Sequence, residues 1–151
     1  MTQPLEREAI LPRVDGIGKN LAKLRHLGEL DFDAFRDGDA FDLVQHHLRL
    51  ALEGVFHIGS HILSRLPGGR AVEYGEIAKK LGEHGIVEKK FAEETLFPMA
   101  RLRNLLVHHY ADIDAKELYR IVQEDLPDIE HFLSSVKQVI EHPDKWGLTI
   151  E

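Results

Sequence analysis

A chain of 151 residues with 43% apolar and 30% charged side chains has material for one well-packed core and too little for two. Its apolar runs are broken by His, Arg or Glu well short of the roughly 20 residues that a membrane span needs, and the acidic start MTQPLEREAI carries no apolar export signal, so no membrane is expected and the cytoplasm is. The lack of cysteine excludes disulfides and thiolate sites, and the net charge of −7 excludes a general nucleic-acid coat, because such binding depends on Lys and Arg releasing phosphate counterions.

From Glu6 to Leu27 the apolar residues Ile10, Val14, Ile17, Leu21 and Leu24 recur at three and four, which predicts a first helix ended by Gly28. ELDFDAFRDGD then reads as a connection that tucks its aromatics against the bundle, with Asp37 or Asp39 capping the second helix. Phe41, Val44, Leu48, Ala51, Val55, Ile58, Ile62 and Leu66 carry the period through that long helix, stopped at Pro67-Gly68-Gly69. A short helix is expected from Tyr74 to Leu81, with Gly82 and Gly85 as exit signals. Its segment EIAKKLGEHGIV has some likeness to a helix-turn-helix, but a short packed helix explains it more simply.

Phe91, Thr95, Met99, Leu102 and Leu106 mark another helix from Val87 to about Val107, which Pro98 must kink or divide. Asp114 with Glu117 three residues on is an Asp variant of the capping box. It opens a last helix marked by Leu118, Ile121, Ile129, Phe132, Val136 and Ile140, which Pro127 should bend. The expected fold class is all-α, an up-and-down bundle of four to five helices over residues 1–142. Residues 143–151, PDKWGLTIE, read as a tail that is loose or docks on a partner through Trp146.

The chemistry concentrates in RNLLVHHY, residues 103 to 110. Arg103 and His108 lie about 140° apart around a straight helix, so for both to reach one phosphate the helix must end near Val107 or a second chain must complete the site. Two readings fit the spacing. In one, Arg103 is a surface residue and His108 and His109 are cations at a fraying helix end. In the other, Arg103 neutralises a phosphate, Asn104 hydrogen-bonds nearby, and His108 moves a proton, for which its ordinary pKa near 6.5 is suited.

The string resembles the Arg-x4-His-x-Tyr motif of HepT-like toxins in the HEPN superfamily, with Arg103, His108 and Tyr110 in the motif positions. ALEGVFHIGSHIL at 51 to 63 is similar to the family's second-helix pattern, and GIVEKKFAEETLFPMARLRNLLVHHYADID to its motif helix and the step after it. The resemblance implies an endoribonuclease toxin acting on RNA, a nucleotidyltransferase antitoxin of the MNT type as partner, and a homodimer in which two motifs meet in one cleft. It also implies that the antitoxin modifies Tyr110 with AMP; on its residue type alone, Tyr110 reads first as an amphipathic aromatic closing the bundle at a helix end. Glu53 matches the family pattern as a supporting residue, whereas His57 stands where the family commonly has an acidic one. No cofactor is expected.

A competing site lies in Glu53, His57 and His61, four residues apart on one face of the second helix. Two such histidines can chelate zinc or nickel, which would make this a metal-binding bundle enzyme; a polar stripe or subunit contact fits the same spacing. The third alternative is a HEPN-like module that binds a nucleotide or a protein without catalysis. Arg101, two residues before Arg103, is expected to point elsewhere, with RNA contact outside the catalytic centre as its possible use.

Overall fold

The computed structural model describes residues 3–109 and 112–151, and its first helix, α1 (Arg7–Leu27), buries the face that the period marks: Ile10, Ile17, Leu21 and Leu24. Gly28 closes it by donating its N–H to the Leu24 carbonyl at 2.9 Å. The next segment is more structured than a connection. Asp31 accepts the Ala34 N–H at 2.9 Å and so caps a short helix, α2 (Phe32–Asp37). That turn drives Phe35 into the core, edge-on to Tyr119 with centroids 5.1 Å apart.

The long central helix is α3 (Ala40–Ser64), and α1 lies along it in the most extensive helix pairing of the fold. Neither expected cap operates. Asp39 holds the N-cap position without a side-chain hydrogen bond, and the Asp37 carboxylate is taken by Arg36 at 2.9 Å. Val44, Leu48, Ala51, Val55, Ile58 and Ile62 are buried as the period requires. Leu52, Phe56 and Leu63 are buried beside them, because α3 is covered on a second side by the helices C-terminal to it.

The short helix α4 (Tyr74–Glu83) runs past its expected end at Leu81, and the exit is made by Gly85 at φ 73° while Gly82 stays inside. Pro98 divides the next helix. A turn of α5 (Lys89–Phe91) widens into a π-turn (Ala92–Leu96) before α6 (Phe97–His108), whose first turn holds the proline. The wider turn stands where Pro98 has no N–H to give. Pro127 likewise starts a helix instead of bending one: the segment expected as a single helix is α7 (Ala115–Glu124) and α8 (Leu126–Glu141), joined at Asp125. Asp114 caps α7 through the Lys116 N–H at 3.1 Å, but Glu117 pairs with Arg120 at 2.8 Å, leaving the capping box half made.

Beyond α8, a 3₁₀ turn (Pro143–Trp146) returns the chain to its own surface. The Trp146 indole N–H donates to the Gly85 carbonyl at 3.1 Å, Leu148 is buried, and Ile150 forms a parallel bridge with Leu5. Among the described residues that bridge is the whole of the extended pairing, and no helix is long and apolar enough to cross a membrane. The fold class is the all-α bundle expected from the apolar periods.

Candidate active site

Glu53 of α3 meets Arg103 of α6, fifty residues away in sequence. Its Oε2 accepts from Arg103 Nε at 3.2 Å and Nη2 at 3.1 Å, while its Oε1 accepts from Arg49 Nη1 at 3.0 Å. One carboxylate thus sits between two guanidinium groups. The side chains of Glu53 and Arg103 are 17% and 22% exposed, so the pair is partly shielded from water and from salt. Asn104, beside Arg103 on α6, accepts from Arg103 Nη1 at 3.3 Å through Oδ1.

A third helix contributes Tyr74, the first residue of α4. Its ring lies 4.5 Å from Arg103 Cζ, a cation–π distance, and is stacked on Phe56 with centroids 4.9 Å apart and planes at 18°. The Tyr74 oxygen is 3.2 Å from His57 Nε2. Burial raises the Tyr74 pKa, against the pull of Arg103, so the phenol stays protonated. Burial, then the charge of Arg13, lowers that of His57, with Glu53 opposing and Arg103 adding to the fall. His57 is therefore a neutral imidazole at neutral pH.

His108 is the last residue of α6 and is exposed. The helix runs through His108, so Arg103 and His108 still point to different sides of it, and the next residue leaves helical geometry at φ −137° and ψ 37°. His109 Nδ1 lies 4.0 Å from Asp112 Oδ2. Tyr110 falls outside the described residues.

Within one chain, then, Arg103, Asn104 and Glu53 come together as a unit and His108 stands at the open end of the same helix. Arg101 is exposed and lines a groove of about 660 Å³ with Leu102, Leu105, Ile121 and Ile129, away from Glu53. The row of Glu53, His57 and His61 faces three different partners: Glu53 holds two arginines, His57 faces Tyr74, and His61 Nε2 accepts the Glu6 backbone N–H at 3.1 Å. Among the described residues no group of three or more His, Asp and Glu side chains is arranged to hold a metal ion. Tyr74 is the residue that spacing misses, because it belongs to another helix and only packing brings it to Arg103.

An all-helical bundle thus carries an arginine within one helix and a histidine at the end of it, the arginine held by an acid of α3. The family described as Ribonuclease HepT-like matches residues 17–136, and the chain belongs to that family. It is similar to the tRNA nuclease HepT of Aphanizomenon flos-aquae, with 29% identity over 119 residues that cover 78% of this chain and 80% of that protein. In fold it is similar to a tri-AMPylated Shewanella oneidensis HEPN toxin solved in complex with its MNT antitoxin, at a TM-score of 0.78 and 22% identity over 85% of this chain and 96% of that one. A toxin–antitoxin complex with AMP-PNP gives a TM-score of 0.75 and 20% identity over 86% of this chain and 98% of the other.

Proposed function

We propose that this protein is the toxin of a toxin–antitoxin pair, an endoribonuclease that cleaves RNA by attack of the ribose 2′-hydroxyl without a metal. The observation that carries the reading is Arg103, fixed by Glu53 on the helix that ends at His108. Family membership supports it, as does the likeness to a protein named a tRNA nuclease.

Arg103 binds the scissile phosphate and stabilises the charge that accumulates on its oxygens in the pentacoordinate state. His108 takes the 2′-hydroxyl proton as the 2′-oxygen attacks phosphorus, and a second proton donor protonates the leaving 5′-oxygen. In a homodimer, His108 of the second copy is that donor, and two copies of Arg103 concentrate positive charge on an otherwise acidic protein. The attacking oxygen is already tethered beside the phosphorus, so the reaction needs no metal to generate a nucleophile. With a net charge of −7, target choice rests on cleft shape and accessible single-stranded loops more than on broad attraction.

The proposed partner is a nucleotidyltransferase antitoxin of the MNT type, and Tyr110 is its proposed site of modification by AMP. Added phosphates beside Arg103 and His108 would occupy the cationic site and repel RNA. In EDTA, the purified chain should cut RNA to 2′,3′-cyclic phosphate and 5′-hydroxyl ends, with Arg103→Ala and His108→Ala each slowing cleavage about 10²-fold or more. End-group analysis of the products reads the result. Ends bearing 5′-phosphate, or cleavage abolished by EDTA, would overturn the metal-independent mechanism, and RNA binding without turnover would leave a non-catalytic binding module.

A further inference from the structure

The two hydrogen bonds from Arg103 to Glu53 converge on one oxygen, Oε2, at 3.2 and 3.1 Å. A fork bound to a single acceptor is held in place but not in tilt, since the guanidinium plane can rock about that oxygen. A parallel two-oxygen pairing would not allow this. The bond to Asn104 Oδ1 at 3.3 Å is long and lies in an exposed side chain, so it supplies little restraint.

The missing restraint is the ring of Tyr74, 4.5 Å from Arg103 Cζ. The ring is itself fixed at both ends. Its body is stacked on Phe56, which is fully buried, and its hydroxyl is held at 3.2 Å by His57 Nε2. Phe56 and His57 come from α3, the helix that also supplies Glu53, so the carboxylate and the ring that hold the guanidinium are both referred to one rigid element. Nε–H and one Nη2–H are committed to Glu53 and one Nη1–H to Asn104 by a long bond that a phosphate oxygen can replace, so the Nη1–Nη2 edge is the one suited to two parallel N–H bonds to two phosphate oxygens.

We propose that Tyr74 is a positioning residue of this site, setting the plane of Arg103 so that its Nη1–Nη2 edge meets the scissile phosphate. The inference rests on the reading of Arg103 as the phosphate-binding group of a ribonuclease. Its role is geometric, and a flat aromatic face is what the position requires.

The test is steady-state cleavage of a defined RNA oligonucleotide by the full chain, with thermal melts to confirm that each variant is folded. Tyr74→Leu should lower kcat about 10–100-fold with KM within about 3-fold, as expected when a reacting group is held slightly out of place. Tyr74→Phe keeps the face and should stay within about 3-fold of wild type. In an Arg103→Lys background, Tyr74→Leu should cost nothing further, because an ammonium has no plane to set. If Tyr74→Leu melts below the assay temperature, Tyr74→Met, bulky but not flat, takes its place with the same expectation. Wild-type kcat in the Leu or Met variant, or an equal loss in the lysine background, would overturn the proposal while leaving the ribonuclease reading intact. A wild-type protein that cleaves no RNA would remove both.

Discussion

The Nε2 atom of His61 lies 3.1 Å from the backbone nitrogen of Glu6, and an imidazole can accept that proton only while Nε2 carries its lone pair. The bond ties α3 to the start of α1, whose N-cap residue has no side-chain cap of its own. Burial, then the charge of Arg65, lowers the His61 pKa, with Glu6 opposing and Arg13 adding to the fall. The folded state therefore binds fewer protons here than the unfolded chain, whose histidines titrate near the ordinary value. Stability is present in full above that value and is lost as pH falls through it toward the folded one. His47 and His57, both lowered first by burial, act in the same direction. Melting curves of the wild-type chain should shift to lower temperature between pH 7.5 and 5.5, and His61→Gln, which keeps an acceptor that does not titrate, should flatten that dependence in part. An unchanged slope in the variant would show that His61 is not a coupled group. The same residue shows what spacing can and cannot convey. Glu53, His57 and His61 share a helical face in sequence, but their partners come from α1, α4 and α6 and from a neighbouring turn of α3. The partners from other helices, invisible to local periodicity, separate a bracing acid, a phenol contact and a helix anchor.

At the scale of elements, α4 is pressed against its neighbours through two glycines whose tolerance should differ. An ideal Cβ on Gly82 would lie 2.6 Å from Ala92 Cβ, at the head of the π-turn, and an alanine side chain there has no rotamer through which to yield. One on Gly59 of α3 would meet Leu81 Cδ1 at 2.9 Å and Ile77 Cγ2 at 3.1 Å, the ends of side chains that can turn aside. Alanine gains about 1 kcal/mol over glycine inside a helix, while overpacking costs about 1–3 kcal/mol. Gly82→Ala should therefore destabilise clearly, and Gly59→Ala should fall within about 1 kcal/mol of neutral. Urea midpoints would rank the two, and the reverse order would contradict the close packing of α4 on the π-turn. The helices with unbroken apolar periods, α1, α3 and α4, were legible to within a few residues. The later ones were not, for local reasons. Between Ile121 and Ile129 the apolar stripe is interrupted by Asp125 and Asp128, and Pro127 fits a first helical turn better than a bend, yet together these divide α7 from α8. The π-turn before Pro98 leaves no mark in composition, because it is a backbone adjustment to an absent N–H. The short α2 rests on Asp31, a cap in a segment too brief to show a period.

For the whole molecule, the two ends of the chain settle a question that composition left open. Residues 143–151 lose the helical period and so read as a tail, loose or docked on a partner, but they pack on the chain itself: Leu5 N–H donates to Thr149 O at 2.8 Å, Glu151 N–H to Leu5 O at 2.8 Å, and Arg7 N–H to Glu151 O at 2.9 Å. Arg65 reinforces the join from below, donating to the Pro4 carbonyl at 3.1 Å and pairing with Glu6 at 3.2 Å. Such long-range pairing of single residues has no local signature, so periodicity and composition carry no trace of it. Loss of the buried Leu148 and of these bonds is on the usual scale of a single structural change, about 1–3 kcal/mol. Deleting 143–151 should accordingly lower the melting temperature by about 3–10 °C for a chain of this size. It should leave RNA cleavage by the folded protein unchanged, because among the described residues the hydrogen bonds of Glu53, Asn104 and Tyr74 all go to residues outside the segment. A deletion with the melting temperature of the full chain would mean that the join contributes nothing to the fold and would return the segment to the role of a free arm for a partner.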